Sequence, residues 1–338
     1  MSVILAAIGF GHMADGTHTM PDPEMVAEQW SGSGYGYKIE DNGDGRKWYR
    51  SYGSDLAVTS WTWAGETEIY ASFRAYRGVA SGPAVISFKD GASHLGAISI
   101  NTSGYVVYST YTSPSPTISI VATSTAALPL DSWTHIEVRV IFHGSSGSVK
   151  IWINGVLDSD TTGIDTINAG TSCTKVVLFQ NNFDPDYKYG DFIIHNDSAP
   201  LGDAGVYYLP ASADGVDTNF TPSAGDNYQC VDEIGTDEDT TYNESDGTAG
   251  HRDSLANAGI SGITPISVGA LVRARKTAGG AATLLPGIVH SGSETQGAAR
   301  TLGEDYNTLE EWVDDVPGGA GWTLTQIGNA EVSYEVGA

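Results

Sequence analysis

Several short runs in this chain imitate chemistry. Gly9-Phe10-Gly11-His12-Met13-Ala14 has the Gly-x-Gly-x-x-Ala spacing of a dinucleotide-binding turn. That turn works only where a helix begins at once and aims its N-terminus at a pyrophosphate. Here Asp15-Gly16, Pro21 and Pro23 follow, so no long helix starts. Asp41-Asn42-Gly43-Asp44-Gly45 matches the opening of a calcium loop. The twelfth loop position needs a bidentate acid and is Tyr52, so a turn between strands fits better. Asp237, Asp239, Glu244 and Asp246 lie close in sequence and offer the hard oxygens that suit Ca²⁺. A solvated acidic loop has the same composition. Asp184, Asp186 and Asp191 form a sparser cluster.

Aromatic residues offer a second chemistry. Trp48, Tyr49, Tyr52, Trp61, Trp63, Tyr187 and Tyr189 could stack on sugar faces. Trp61, Trp63, Tyr187 and Tyr189 are the candidate glycan contacts. Alternation puts Trp61 and Trp63 on one face of a strand, which serves a binding ridge or a core equally well. The eight histidines show no His-x-x-x-His or His-Glu-x-x-His spacing, so no zinc site stands out. There is no Gly-x-Ser-x-Gly elbow and no Glu-x-Asp-x-Glu run. Glu66-Thr67-Glu68 comes nearest and lacks the third acid. No catalytic residue is assigned, and the expectation is a protein that is not an enzyme. A glycoside hydrolase or lyase built on carboxylates from separate strands is the competing case, with Asp184 and Asp191 the acids to test.

The elements that must position such residues are strands. Of 338 residues, 40% are hydrophobic and only 17% charged, with 42 Gly and 17 Tyr. Few helix formers, many β-branched and aromatic residues and frequent Gly favour an all-β chain. Strand-like runs recur at 67–76, 84–89, 96–101, 105–109, 117–122, 134–142, 148–154, 175–181 and 190–195. In 148–154, Val149, Ile151 and Ile153 share one face and Lys150, Trp152 and Asn154 the other. Residues 3–10 are apolar, short and not preceded by Lys or Arg, so a first strand is expected there rather than a signal peptide. Residues 23–29 and 308–315 could each form a short helix, the second equally a strand.

Turn-rich sequence from Asp197 to Asp203, then a Ser/Asp/Gly/Pro stretch to Asp226, suggests a boundary. The expected domains are 1–200, a link at 201–228, and a smaller β domain at 229–338 with strands near 266–276, 283–291 and 330–336. The formal net charge is −25, which repels phosphate and argues against nucleic acid. No run reaches the ~20 apolar residues of a membrane helix. Cys173 and Cys230 do not make a disulfide framework; buried free thiols and assembly in a reducing cytoplasm are expected.

The most specific stretch is Leu130-Asp131-Ser132-Trp133-Thr134-His135-Ile136-Glu137-Val138-Arg139-Val140, leading to Ser148-Val149-Lys150-Ile151-Trp152-Ile153-Asn154-Gly155. It resembles the paired strands of concanavalin A-like (laminin-G-like) jelly rolls. Ser87–Leu95, Gly163-Ile164-Asp165-Thr166 and Tyr189-Gly190-Asp191-Phe192-Ile193-Ile194-His195 fit the same pattern. That family often has Asp-Asp where Gly190-Asp191 stands here. A second resemblance is to one branch, the virion proteins of tailed bacteriophages. It rests on Leu201-Gly202-Asp203, Leu209-Pro210, Asp214-Gly215, Phe220-Thr221-Pro222, Asn227-Tyr228, Val231-Asp232-Glu233, Thr241-Tyr242, Asp253 and the closing segment from Trp322-Thr323 through Ile327 to Val336.

The resemblance implies a concanavalin A-like jelly-roll sandwich followed by a second, smaller β-sandwich domain. It implies a phage virion structural protein, as a capsid decoration or as a head or tail fibre component. Its partners would then be other capsid or tail proteins and copies of itself, and its location the virion. The alternative is a carbohydrate-binding module contacting host surface glycans, with or without Ca²⁺.

Overall fold

The computed structural model describes residues 4–8, 16–19, 36–41, 47–52, 59–78, 84–112, 117–168, 170–178, 187–232, 240–277 and 282–338. The chain forms two compact units that divide between Tyr207 and Tyr208.

The first unit carries β1 (Ile4–Ile8), β2 (Gly16–Thr19), β3 (Gly36–Asp41), β4 (Lys47–Tyr52), β5 (Thr59–Glu66), β6 (Glu68–Arg77), β7 (Ala84–Asp90), β8 (Ser93–Ile100), β9 (Tyr105–Thr112), β10 (Thr117–Ala127), β11 (Trp133–Ile141), β12 (Gly147–Ile153), β13 (Val156–Ile164), β14 (Cys173–Leu178) and β15 (Tyr187–His195). They make a nine-stranded sheet in the order β13-β12-β11-β6-β15-β4-β3-β2, with β1 also on β15. The other sheet has six strands, β10-β9-β8-β7-β14-β5. All pairings are antiparallel.

Alternation decides which face meets the core. On β6, Ile69, Ala71, Phe73 and Ala75 are buried; on β11, Ile136, Val138 and Val140; on β12, Val149 and Ile151. Phe73 stacks on Phe192 at 5.7 Å. Phe88 of the six-stranded sheet meets Phe142, just beyond β11 of the other, edge to face at 5.4 Å. This is a β-sandwich core. The β12–β13 hairpin turns at Asn154 and Gly155, both at positive φ, +50° and +76°. Those angles suit the Asn-Gly pair at a hairpin turn. Asn154 Oδ1 also accepts the His135 N–H at 3.0 Å, tying the turn to β11.

At one side of the sandwich the two edge strands are clipped together. Asp158 on β13 accepts the Thr125 hydroxyl of β10 at 2.8 Å and its backbone N–H at 2.5 Å. An inward-reaching charge blunts edges that would otherwise pair with foreign strands.

The second unit carries β16 (Ala211–Thr218), β17 (Thr221–Pro222), β18 (Asn243–Glu244), β19 (Arg252–Asn257), β20 (Val268–Ala274), β21 (Thr283–His290), β22 (Ser293–Gln296), β23 (Arg300–Thr301), β24 (Asn307–Val313), a one-turn helix α1 (Leu324–Gly328) and β25 (Ala330–Val336). The main sheet runs β16-β19-β25-β21-β22, with β23 on β21. The β20–β24 pair packs against it over Ala270, Ile288, Val313, Trp322 and Ile327 at one end and Phe220, Leu284, Leu309 and Tyr334 at the other. One carboxylate organises the interior. Buried Asp253 accepts the Phe220 N–H at 2.8 Å, the Asn227 amide and the Tyr334 hydroxyl.

One sequence expectation shifts here. The 201–228 segment is not a link: it holds β16, β17 and a single-turn 3₁₀ helix at Asn227–Cys230. β16 reads as a link because it is an edge strand, half exposed, whose apolar residues are only Ala211, Ala213 and Val216. Of the two readings open for 308–315, the strand holds as far as Val313, where β24 alternates against β20 with Leu309 and Val313 inward. The possible helix at 23–29 lies outside the described residues.

Candidate functional site

The outer face of the nine-stranded sheet is unusually rich in ionisable groups. Registers place them side by side: His135 opposite Arg74, Glu137 opposite Ser72, Arg139 opposite Tyr70. On the other flank of β6, His195 lies opposite Tyr70. Between Gly190 and Ile193 the β15–β6 ladder bulges, and Asp191 sits in that bulge at φ +52°. A bulge re-aims the side chain it carries. Here it brings the buried Asp191 carboxylate to 3.7 Å from Arg74 Nε.

Residues 196–206 cross this face as a strap. Glu137, wholly buried, is its central pin. Its Oε1 accepts the Leu201 N–H at 2.8 Å and its Oε2 the Gly202 N–H at 3.1 Å. Oε1 also meets His195 Nε2 at 3.0 Å. His195 Nδ1 accepts the Asp197 N–H at 3.2 Å. That bond fixes the tautomer: Nδ1 is the acceptor, so Nε2 carries the proton and donates to Glu137. Tyr70 stacks on the His195 ring at 4.8 Å. Asp203 pairs with Arg74, and the Val206 N–H donates to Asp191 at 2.9 Å. Gly202 sits at φ +76°, where a side chain would strain the backbone.

Next to the pin, Ser72 Oγ and His135 Nε2 are 2.8 Å apart and both residues are buried. Burial pushes the His135 imidazole below its usual range, and nearby Asp203 and Glu137 oppose that only in part. A buried Ser–His contact resembles half of a nucleophilic site. Here it lies mid-strand beneath the strap.

The sequence candidates fall elsewhere. Trp61 and Trp63 are on β5, in the six-stranded sheet; Tyr187 and Tyr189 are on β15, in the nine-stranded one. The two pairs therefore lie on strands of different sheets. Tyr189 is fully buried among Phe73 and Phe192, so it is a core residue and not a sugar contact. Trp63 is half-buried, and the side chains of Trp61 and Tyr187 lie outside the described set. Asp237 and Asp239 are also outside it. Glu244 and Asp246 are exposed. Asp246 accepts the Thr248 N–H at 2.9 Å and meets His251 at 3.1 Å. The Thr248 N–H and hydroxyl, ahead of His251, lower its pKa. No group of three or more metal-ligating side chains occurs among the described residues. Asp184 and Asp186 lie outside them, and Asp191 serves the strap.

Glu137, His195 and the 196–206 strap were not singled out from the sequence. The alternation of β11 assigns Glu137 to solvent, and only a covering segment could contradict that. The available signal was Leu201-Gly202-Asp203, six residues past His195, whose backbone and Asp turn out to be the parts that dock.

No protein-family model matches the chain, and no curated protein matches it. Solved structures do resemble it. An endo-β-1,4-glucuronan lyase from Trichoderma reesei superposes over 60% of this chain and 100% of its own, at TM-score 0.41 and 12% identity. The binding domain of botulinum neurotoxin serotype G covers 57% of this chain, at TM-score 0.37 and 11% identity, and the match spans 47% of that domain. A carbohydrate esterase from the Shiga toxin-encoding bacteriophage phi24B covers 59% of this chain and 100% of its own, at TM-score 0.37 and 14% identity. At these identities the likeness concerns the all-β sandwich architecture and not what those proteins bind or cleave.

Proposed function

We propose that this chain is a structural, non-catalytic component of a tailed-phage particle, assembled with other capsid or tail proteins and with copies of itself. The observation that carries the reading is how the ionisable face is used. Glu137, His195 and Asp191 direct their acceptors at backbone N–H groups of the strap, so these groups hold chain to sheet. A catalytic carboxylate must be reachable by substrate. Glu137 is wholly buried, with backbone N–H groups of the strap on both its oxygens. Two all-β units, one strapped and one organised on a buried Asp253, suit a rigid part with variable surface loops. The resemblance of the motifs from Leu201-Gly202-Asp203 to Trp322-Thr323, in their order, to those of tailed-phage virion proteins supports the reading.

The test is composition and imaging of purified particles. Mass spectrometry is expected to find the chain in them, and cryo-electron microscopy to find density for two β units on the head or tail. Purified chain is expected to add back to particles that lack it. Absence from particles overturns the reading.

A further inference from the structure

We propose that Lys89 and Lys175, on the outer face of the six-stranded sheet, receive a carboxylate from a second copy of this chain. The choice of partner rests on the assembly reading above; the site itself stands on geometry.

Three basic side chains lie in one row across three neighbouring strands. Register sets Lys175 of β14 opposite Lys89 of β7, and Lys89 opposite His94 of β8. Phe88 reaches into the core, so alternation turns Lys89 to the outer face. Residues directly opposite have Cβ atoms about 5 Å apart, and like charges at that spacing destabilise a sheet. Lys89 feels this. Burial, and after it Lys175, push its amine below the ordinary range, and no carboxylate opposes them. Burial and then Lys89 push the His94 imidazole down as well.

Cations on the opposite sheet are treated differently. Arg74 has Asp191 and Asp203, Arg139 has Glu68, and Lys150 has Asp160. Among the described residues no carboxylate pairs with the Lys89 or the Lys175 amine. Asp90, next to Lys89 in sequence, accepts the Thr171 N–H at 3.1 Å instead. A further orphan lies beside the row. Ser87, two residues before Lys89 and on the same face of β7, is fully buried, and its hydroxyl has no partner among the described residues. A buried hydroxyl is costly to leave unpaired. Two unpaired amines and a spare hydroxyl on one face are the donor set of a carboxylate site.

Charge points to the occupant. The chain has 41 Asp and Glu against 16 Lys and Arg, so a second copy arrives with a surplus of carboxylates. That surplus repels at a distance, but at physiological salt charges beyond about 8 Å are screened and the groups that meet decide the contact. A nucleic acid would instead draw a continuous line of phosphates across the acidic surface.

The test uses the purified full chain, with isotope-labelled and unlabelled copies mixed. A carbodiimide of zero length joins an amine to a carboxylate in ion-pair contact, forming an amide with loss of water. Mass spectrometry is expected to find Lys89 or Lys175 joined to an Asp or Glu of the differently labelled copy, and the product to fade as salt is added. No such product, or one formed only within a copy, overturns the proposal. So does protection of the two lysines by inorganic phosphate with no link between copies, which marks a small-anion site. Lys89→Met keeps the aliphatic stem and removes one charge. Self-association, read by sedimentation, is expected to weaken about tenfold or more, the weight of one charge-assisted hydrogen bond. The variant's folded stability is expected to hold or rise, because the repulsion from Lys175 is gone. A variant that associates normally, or that loses stability, overturns the proposal. A chain that links in this way yet is absent from particles overturns the particle reading and leaves the contact between copies standing.

Discussion

Gly104 and Gly155 make a matched pair for testing how Arg77 is held. Both sit at positive φ, +88° and +76°. Alanine at either position costs about 1–2 kcal/mol for the left-handed backbone. Beyond that they differ. A Cβ on Gly155 meets nothing within 4 Å, whereas a Cβ on Gly104 would lie 2.0 Å from Arg77 Nη1 and 2.3 Å from its Cζ. Arg77 is only 8% exposed, and its Nη1 donates to the Leu128 carbonyl at 2.7 Å. Displacing the guanidinium forfeits that charge-assisted bond, worth about 1.5–3 kcal/mol. Gly104→Ala is therefore expected to destabilise the first unit by about 2.5–5 kcal/mol and Gly155→Ala by about 1–2. Exchange of the β11 amides under conditions of global opening reports the first unit without interference from the second. A double-mutant cycle isolates the cause: in an Arg77→Ala background the Gly104→Ala penalty should shrink to that of Gly155→Ala. Equal penalties for the two glycines in the unmodified background, or an undiminished one in the cycle, would refute the argument.

Other outcomes follow from the buried polar groups. Burial pushes both His135 and His94 below the ordinary imidazole range. The unfolded chain then takes up protons first, so first-unit stability is full above about pH 6.5 and declines as pH falls below it; a denaturation midpoint that does not move with pH in that range contradicts this. Burial pushes the Cys173 thiol up to about 12, so iodoacetamide at mildly alkaline pH should leave it unlabelled in the folded chain and label it fully after denaturation, read by mass spectrometry. Asp253→Ala strands the Phe220 N–H, the Asn227 amide and the Tyr334 hydroxyl. At about 1–3 kcal/mol for each buried unpaired donor, it should lower the second unit's stability by roughly 3 kcal/mol or more, with β11 amide protection in the first unit unchanged.

The parts of the fold that were legible are those where one local signal decides. The β11 and β12 strands follow from alternation, and the turn from β12 into β13 follows from Asn154-Gly155, a pair that accepts two positive φ values cheaply. What stayed hidden depends on a partner distant in sequence. β13 is mostly exposed and polar, so its sequence lacks the apolar period that marks a strand, and β12 alone makes it one. β16 is hidden in the same way. Tyr189 and Trp63 looked alike from sequence, yet Tyr189 stands opposite core-facing Ala75 and is buried completely against Phe73 and Phe192. Glu137 and Arg139 are indistinguishable as outward charges on β11. A strap that returns from residues 196–206 turns one of them into an interior group.

The strap also sets how tension would travel through the chain. A pull entering from beyond Tyr207 reaches its anchors one after another: Val206 on Asp191, Asp203 on Arg74, Gly202 and Leu201 on Glu137, and last Asp197 on His195. Anchors loaded in series peel at low force, whereas β15, hydrogen-bonded on both sides, is loaded across many bonds at once. Each anchor that yields frees about 3.4 Å of chain per residue before the sandwich itself is stressed. The strap therefore yields to a pull before the sandwich does, because each of its anchors is a separate contact with the sheet.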